Sequence, residues 1–207
     1  IMEEKIASLN QGKVPFFEPG LEDLLKQELA SGNLHFTTDY HQAITDSDLI
    51  VIAVGTPSAA NGQADLRFVE STITSLAPHV KTGAIIAVKS TVPPGTIDHL
   101  KQLFTQHSST LVHWASLPEF LREGSAVQDT LHPDRVVIGS ENSEVAEKLA
   151  NLHQPFNAPI IHVKPNSAQM GKYAANAYLA NRITFINEIA NLCDSLGANV
   201  QEVVSII

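Results

Sequence analysis

Short runs of apolar, largely β-branched residues alternate along the chain with stretches whose apolar positions recur every three or four residues. The runs are "NLHFTTD", "DLIVIAVG", "GAIIAVKS", "TLVHWAS", "DRVVIGS" and "APIIHV", each of strand length and bounded by turn residues. Most are separated by one helical pattern, over residues 40–47, 65–79, 96–107 and 142–153. A further helix is expected over 18–32, with Pro19 in its first turn and Gly32 at its end. Continuously apolar strands that alternate with helices imply a parallel sheet covered on both faces. The expected fold class is therefore α/β, an incomplete doubly wound parallel, Rossmann-like sheet.

From Pro165 the period changes. One long helix, "NSAQMGKYAANAYLANRITFINEIANLCDSLG", closes on Gly197 and "NVQEVVSII" opens another. We place a boundary near residue 164, with an α/β domain over 1–163 and the start of an all-α domain over 164–207. The first residues, "IMEEKIASLNQG", already read as helix, and the last carry no polar tail. Both ends are read as cuts, so a fragment is expected.

In an open parallel sheet, ligands sit outside the carboxyl ends of the strands. Three segments there combine backbone-fixing glycine or proline with hydroxyl or charged groups: Gly55-Thr56-Pro57, the run Lys89 to Thr96 ("KSTVPPGT"), and the run Leu117 to Gly124 ("LPEFLREG"). Each has an ordinary reading. Thr56 can cap a turn, and Thr96 can cap the helix that follows it. Thr91 is the better candidate for a ligand contact. Glu119 and Glu123 share a face only if their segment is helical, with Pro118 in its first turn; a solvated surface turn is the alternative. Lys172 and Asn176 lie one turn apart on the long helix among small residues, a placement suited to a developing oxyanion or to a merely wet helix face.

Composition narrows the partners. The 22 acidic residues outnumber the 13 Lys and Arg and give a net charge of −9, a poor footprint for nucleic acid. No apolar run approaches the length of a membrane span and no cleavable leader opens the chain, so no membrane partner and a cytoplasmic location are expected. The single cysteine, Cys193, continues the stripe Ile183, Ile186, Ala190, Cys193, Leu196 and reads as core, which leaves no disulfide framework. The nine histidines are scattered, so no metal site is expected.

No G-x-G-x-x-G occurs. Even so, the collinear series "GKVPFFEPGL", "FTTD", "VGTP", "GQADL", "KSTVPPGT", "PEFLREGSAV", "PDRVVIG", "KYAANAYLA" and "FINEI" resembles the UDP-glucose and GDP-mannose dehydrogenase family along nearly the whole chain, most closely the members that act on UDP-glucose. The resemblance implies an NAD-dependent enzyme that oxidises a nucleotide sugar twice at C6, from alcohol to acid, with a thioester on a cysteine. It implies Thr56 and Pro57 on the NAD side of the crevice and Thr91 near the nicotinamide, where it helps order a water. Glu119 corresponds to a glutamate in acid/base work at thioester hydrolysis, and Glu123 to one near the nicotinamide. Phe120 and Leu121 correspond to residues whose backbone lines the UDP-sugar pocket. Lys172 and Asn176 correspond to the pair that stabilises the charged oxygen. A homodimer through the central helix is implied as well.

Departures from the family pattern are equally specific. Leu117 stands where Asn is usual, Gln169 replaces a common Glu, and Gly171 adds helix flexibility at about 1 kcal/mol relative to Ala. The catalytic cysteine and its aspartate are absent, and Cys193 does not match that cysteine. The chain alone is thus expected to catalyse little or nothing. Two further readings stay open: the same chemistry on GDP-mannose or a UDP-N-acetylhexosamine, and a non-catalytic dimerisation module.

Overall fold

A computed structural model describes residues 2–207. Five strands, β1 (Leu49–Ile52), β2 (Ile85–Val88), β3 (His113–Ser116), β4 (Val136–Gly139) and β5 (Ile160–Val163), form one sheet in chain order. Helices α1 (Glu3–Asn10), α2 (Leu21–Ser31) and α3 (Tyr40–Ile44) precede it. Helices α4 (Arg67–Leu76), α5 (Thr96–His107), α6 (Ala126–Leu131) and α7 (Ser143–His153) lie between strands, and α8 (Pro165–Leu196) and α9 (Val200–Ile206) follow.

The sheet is covered on both faces, as its apolar strands require. All four residues of β2 are buried, and because successive side chains point to opposite faces they feed two cores. Ile86 and Val88 join Ile73, Leu76, Leu100 and Phe104 on the side of α4 and α5. Ile85 and Ala87 join Ala115, Leu117, Ile138, Val145 and Leu149 on the side of α7. Each of these larger aliphatic side chains contributes about 1.5–3 kcal/mol by leaving water.

The parallel expectation holds for β1–β2, β2–β3 and β4–β5 and fails at one place: β4 runs antiparallel to β3. The two meet through a single pair, Ser116 with Gly139. The connection over 117–135 therefore stays at the carboxyl end of β3 and becomes a wall there. The pairing depends on Gly139 having no side chain, since a Cβ would lie 2.7 Å from Ala168 Cβ, 2.9 Å from Pro165 Cα and 3.1 Å from Ser116 Cβ. The base of α8 is thus seated directly on β4.

Other expectations are corrected. "NLHFTTD" is extended but forms no strand, because the backbone of Phe36 bonds to the Asn10 side chain instead of to a neighbouring strand. Pro19 lies outside α2, whose N-cap is Gly20 in the left-handed region at φ 80°. The helix expected over 40–47 closes at Ile44, and that over 65–79 starts at Arg67 because the Asp65 carboxylate accepts from the Arg67 N–H. Thr96 is the first helical residue of α5 rather than its cap; its hydroxyl donates to the Pro93 carbonyl at 2.7 Å.

Candidate functional site

The loops after β1, β2 and β3 converge with the first turns of α8. Ser90, the second residue after β2, stitches the first two loops: its hydroxyl accepts from Val54 N–H at 2.9 Å and donates to Val54 O at 2.7 Å. The Thr56 hydroxyl donates to Thr91 O at 2.8 Å. Thr56 thus makes the ordinary capping bond, and in doing so aligns the two loops. A Cβ added at Gly55 would meet nothing within 4 Å, so this turn faces open space. Gly55, Thr56, Pro57 and Thr91 thus lie together at the carboxyl ends of β1 and β2.

The β2 loop is also clasped to α8. Gly95 N–H donates to Asn166 Oδ1 at 2.8 Å and to Gln169 Oε1 at 3.1 Å. Gln169 is buried, and its Nε2 is the buried side-chain atom without a partner among the described residues. The Gln-for-Glu departure therefore keeps the acceptor that holds Gly95.

Lys172 follows Gln169 by three positions and, like it, is buried. Only 5% exposed, its Nζ lies 2.9 Å from Glu119 Oε1. The wet-face reading of Lys172 is excluded: the ammonium is a buried ion-pair partner. The Phe120 ring carries two cations near it, Arg135 at 4.2 Å and Lys172 at 5.3 Å from its centroid. Asn176 lies one turn beyond Lys172 and is exposed.

The run 117–124 is a loop, not a helix turn, and Pro118 is buried in extended chain before it turns. Glu119 and Glu123 do not share a helical face; Glu119 points to Lys172 while Glu123 is exposed, as is Leu121. The loop is shaped by three carboxylates whose partners sequence spacing does not reveal. The Glu119 carboxylate accepts from Leu121 N–H. Arg122 donates through its backbone and guanidinium to Asp129, whose carboxyl is thereby held at about 2. Glu18, 7% exposed, accepts from Gly124 N–H at 2.9 Å and Val127 N–H at 3.4 Å. Leu117 is core: its N–H extends the ladder to Val88 O at 2.9 Å and its side chain is 5% exposed. Apolar burial replaces whatever a polar residue would do there.

Lys89 leaves β2 into this site, half-buried, and makes no ion pair among the described residues. Burial is the largest influence and lowers its pKa below 10.5; Glu119 opposes this and Lys172 reinforces it. Folding thus disfavours the charged amine. That penalty is complete below the folded-state value and disappears as pH rises toward the unfolded value of about 10.4. Lys89→Met is expected to raise the urea midpoint at pH 7 and to flatten the rise in stability that the unmodified chain shows as pH approaches about 10.4. An unchanged midpoint with an unchanged pH slope counts against the buried-charge account.

Cys193 is 5% exposed near the far end of α8, about 30 Å along the helix axis from Lys172. It belongs to the packing of α8 and cannot reach the site. No helix is long and apolar enough to cross a membrane among the described residues.

Residues 1–157 match the UDP-glucose/GDP-mannose dehydrogenase family, NAD binding domain, and residues 166–207 match the central domain of the same family. The UDP-glucose 6-dehydrogenase YwqF of Bacillus subtilis is 45% identical over 201 residues, covering 96% of this chain and 46% of that protein. The UDP-glucose 6-dehydrogenase of Pseudomonas aeruginosa is 38% identical, covering 97% of this chain and 46% of that protein. The chain spans about half the length of the curated relatives it matches. Among solved structures, a ternary complex of GDP-mannose dehydrogenase from Pseudomonas aeruginosa superposes with a TM-score of 0.96 at 36% identity, over 100% of this chain and 49% of that one. A UDP-glucose dehydrogenase from Pyrobaculum islandicum superposes with a TM-score of 0.95, also at 36% identity and over the same shares.

Proposed function

The chain belongs to the UDP-glucose/GDP-mannose dehydrogenase family, and from that premise we infer that it supplies the catalytic lysine, asparagine and glutamate of an NAD-dependent oxidation of UDP-glucose at C6. The observation that carries this reading is the Lys172–Glu119 pair, 2.9 Å apart, with Lys172 buried at the junction of the β3 loop and α8. A buried ammonium held by a carboxylate is oriented before substrate arrives, so it stabilises an oxyanion without reorganising. Asn176, one turn along the same helix, is the second donor to that oxygen. Glu119 is within reach of the same centre to hold or move a proton. NAD, held against Gly55, Thr56, Pro57 and Thr91 with Glu123 nearby, would supply the hydride acceptor. The backbone of Phe120 and Leu121 lines the sugar side.

Division of the chain near residue 164 belongs to this reading; the last strand ends at Val163 and α8 begins at Pro165. So does a homodimer through α8, supported by the exposed Tyr178, Leu179, Ile183, Phe185 and Leu192 on that helix. A second reading, GDP-mannose as substrate, is favoured by the superposition on the GDP-mannose dehydrogenase.

The test is NADH formation at 340 nm from NAD with UDP-glucose or GDP-mannose, using the 207 residues alone and the same residues joined at both ends to the remaining sequence of the Bacillus subtilis relative. We expect turnover of UDP-glucose by the joined protein only, and a loss of roughly 100-fold or more in kcat with Lys172→Ala. Turnover by the 207 residues alone contradicts the assignment of the missing chemistry to other sequence. Preference for GDP-mannose transfers the assignment to the second reading.

A further inference from the structure

Lys172 holds Glu119, yet the proposed function gives its ammonium a second acceptor, the oxygen that gains charge on the sugar. The two oxygens of Glu119 are served differently. Oε2 accepts from Leu121 N–H within its own loop, whereas Oε1 depends on Lys172 Nζ at 2.9 Å. The Glu119 side chain is only 28% exposed, so an ammonium drawn toward the sugar leaves Oε1 short of both a cation and full hydration, which costs free energy.

One cation is placed to cover it. Val88 lies beside Ser116 in the parallel register of β2 and β3, so Lys89, first after β2, and Glu119, third after β3, leave neighbouring strand ends. Both line one cavity of about 240 Å³. Lys89 is half-buried and has no carboxylate within 4 Å among the described residues. It feels both members of the pair, Glu119 favouring its ammonium and Lys172 opposing it. The other charged or titratable groups of the lining are engaged or turned outward. Arg122 is held by Asp129 at 2.6 Å, Arg135 lies over the Phe120 ring at 4.2 Å, His153 Nδ1 bonds to Leu149 O at 2.7 Å, and His132 and Asp134 are exposed.

We propose that Lys89 is a positioning residue: when Lys172 turns to the sugar oxygen, Lys89 replaces it on Glu119 Oε1 and keeps that carboxylate oriented. With Lys172 in place, two like charges compete for one oxygen and Lys89 is held off. With Lys172 withdrawn, only the attraction of Glu119 remains, and the flexible stem of a lysine allows the approach. The role in turnover rests on the proposed function. The exchange of cations itself is a property of these 207 residues and is testable without turnover.

The experiment is urea denaturation of the 207-residue chain at pH 7, with and without Lys172. Lys89→Met raises the midpoint when Lys172 is present; in the Lys172→Met background the same change should lower it, because Lys89 is then the cation on Glu119. A midpoint that moves the same way in both backgrounds overturns the proposal. Lys148→Met, at an exposed lysine of α7, controls for net charge and should act alike in both. If Lys172→Met does not fold, the Lys89 ε-carbon NMR signal decides: Glu119→Gln should lower the titration midpoint of that amine, and an unchanged midpoint removes the coupling the exchange depends on. In the joined protein, Lys89→Met should lower kcat for UDP-glucose about tenfold and leave KM for NAD within about twofold, with Lys89→Arg restoring most of the rate. An unchanged kcat overturns the role in turnover. A joined parent protein without turnover refutes the oxidation instead, and the urea midpoints still decide the exchange.

Discussion

Valine in place of Gly139 is expected to lower the unfolding free energy by about 3 kcal/mol, the upper end for overpacking a site that cannot yield. The added atoms meet Pro165 Cα and two Cβ atoms, Ala168 and Ser116, all within 3.1 Å of the position a Cβ would take. None is the far end of a flexible side chain, so either α8 lifts from β4 or the Ser116–Gly139 pairing opens. Alanine at the same position should cost about 1–2 kcal/mol. Urea denaturation followed by the fluorescence of Trp114, which packs edge-on to Phe104 at 5.8 Å, measures both. Gly171→Ala on the same helix is the contrast: nothing lies within 4 Å of its Cβ position, and it should stabilise by up to about 1 kcal/mol. A Gly139→Ala protein as stable as the parent would remove the argument that this close approach seats α8.

The second large effect is at Glu119. Glu119→Leu leaves the Lys172 ammonium, 5% exposed, without its carboxylate, and the expected loss is about 3 kcal/mol. Glu119→Gln should cost less, since an amide oxygen still accepts. The double change Glu119→Leu with Lys172→Met should recover most of the loss, because removing both charges also removes the uncompensated one. Additive losses in the double variant would mean that the pair at 2.9 Å is not an energetic unit.

Most of the sheet was legible because its strands are apolar throughout and its helices carry a clear period. What was not legible depended on partners distant in sequence. The antiparallel step at β4 follows from the course of 117–135 and from a glycine contact with α8, which no local pattern encodes. "NLHFTTD" has strand composition, yet Asn10 takes its backbone bonds. At the site, the loops after β1, β2 and β3 were found because strand ends in such sheets carry function. Glu119 and Lys172 are each legible as site residues, but their ion pair is not, because a 53-residue separation gives no spacing signal. Ser90, two residues past a strand, is a hydroxyl whose bonds to Val54 depend on where the neighbouring strand ends. Glu18, Arg135 and the unpaired state of Lys89 became visible only when the chain folded around them.

Helix α8 has 32 residues, about 48 Å of rise, and its buried residues other than Cys193 fall between Pro165 and Lys172. Mechanically it is a beam clamped at one end, with its fulcrum at the Lys172–Glu119 pair and Gly171 beside it. A tilt of about 5° there displaces the far end by about 3 Å over the remaining length. Fluorophores placed on the exposed Leu196 and on the sheet would therefore report, as a magnified distance change, any movement of the Lys172 ammonium too small to detect at the site itself.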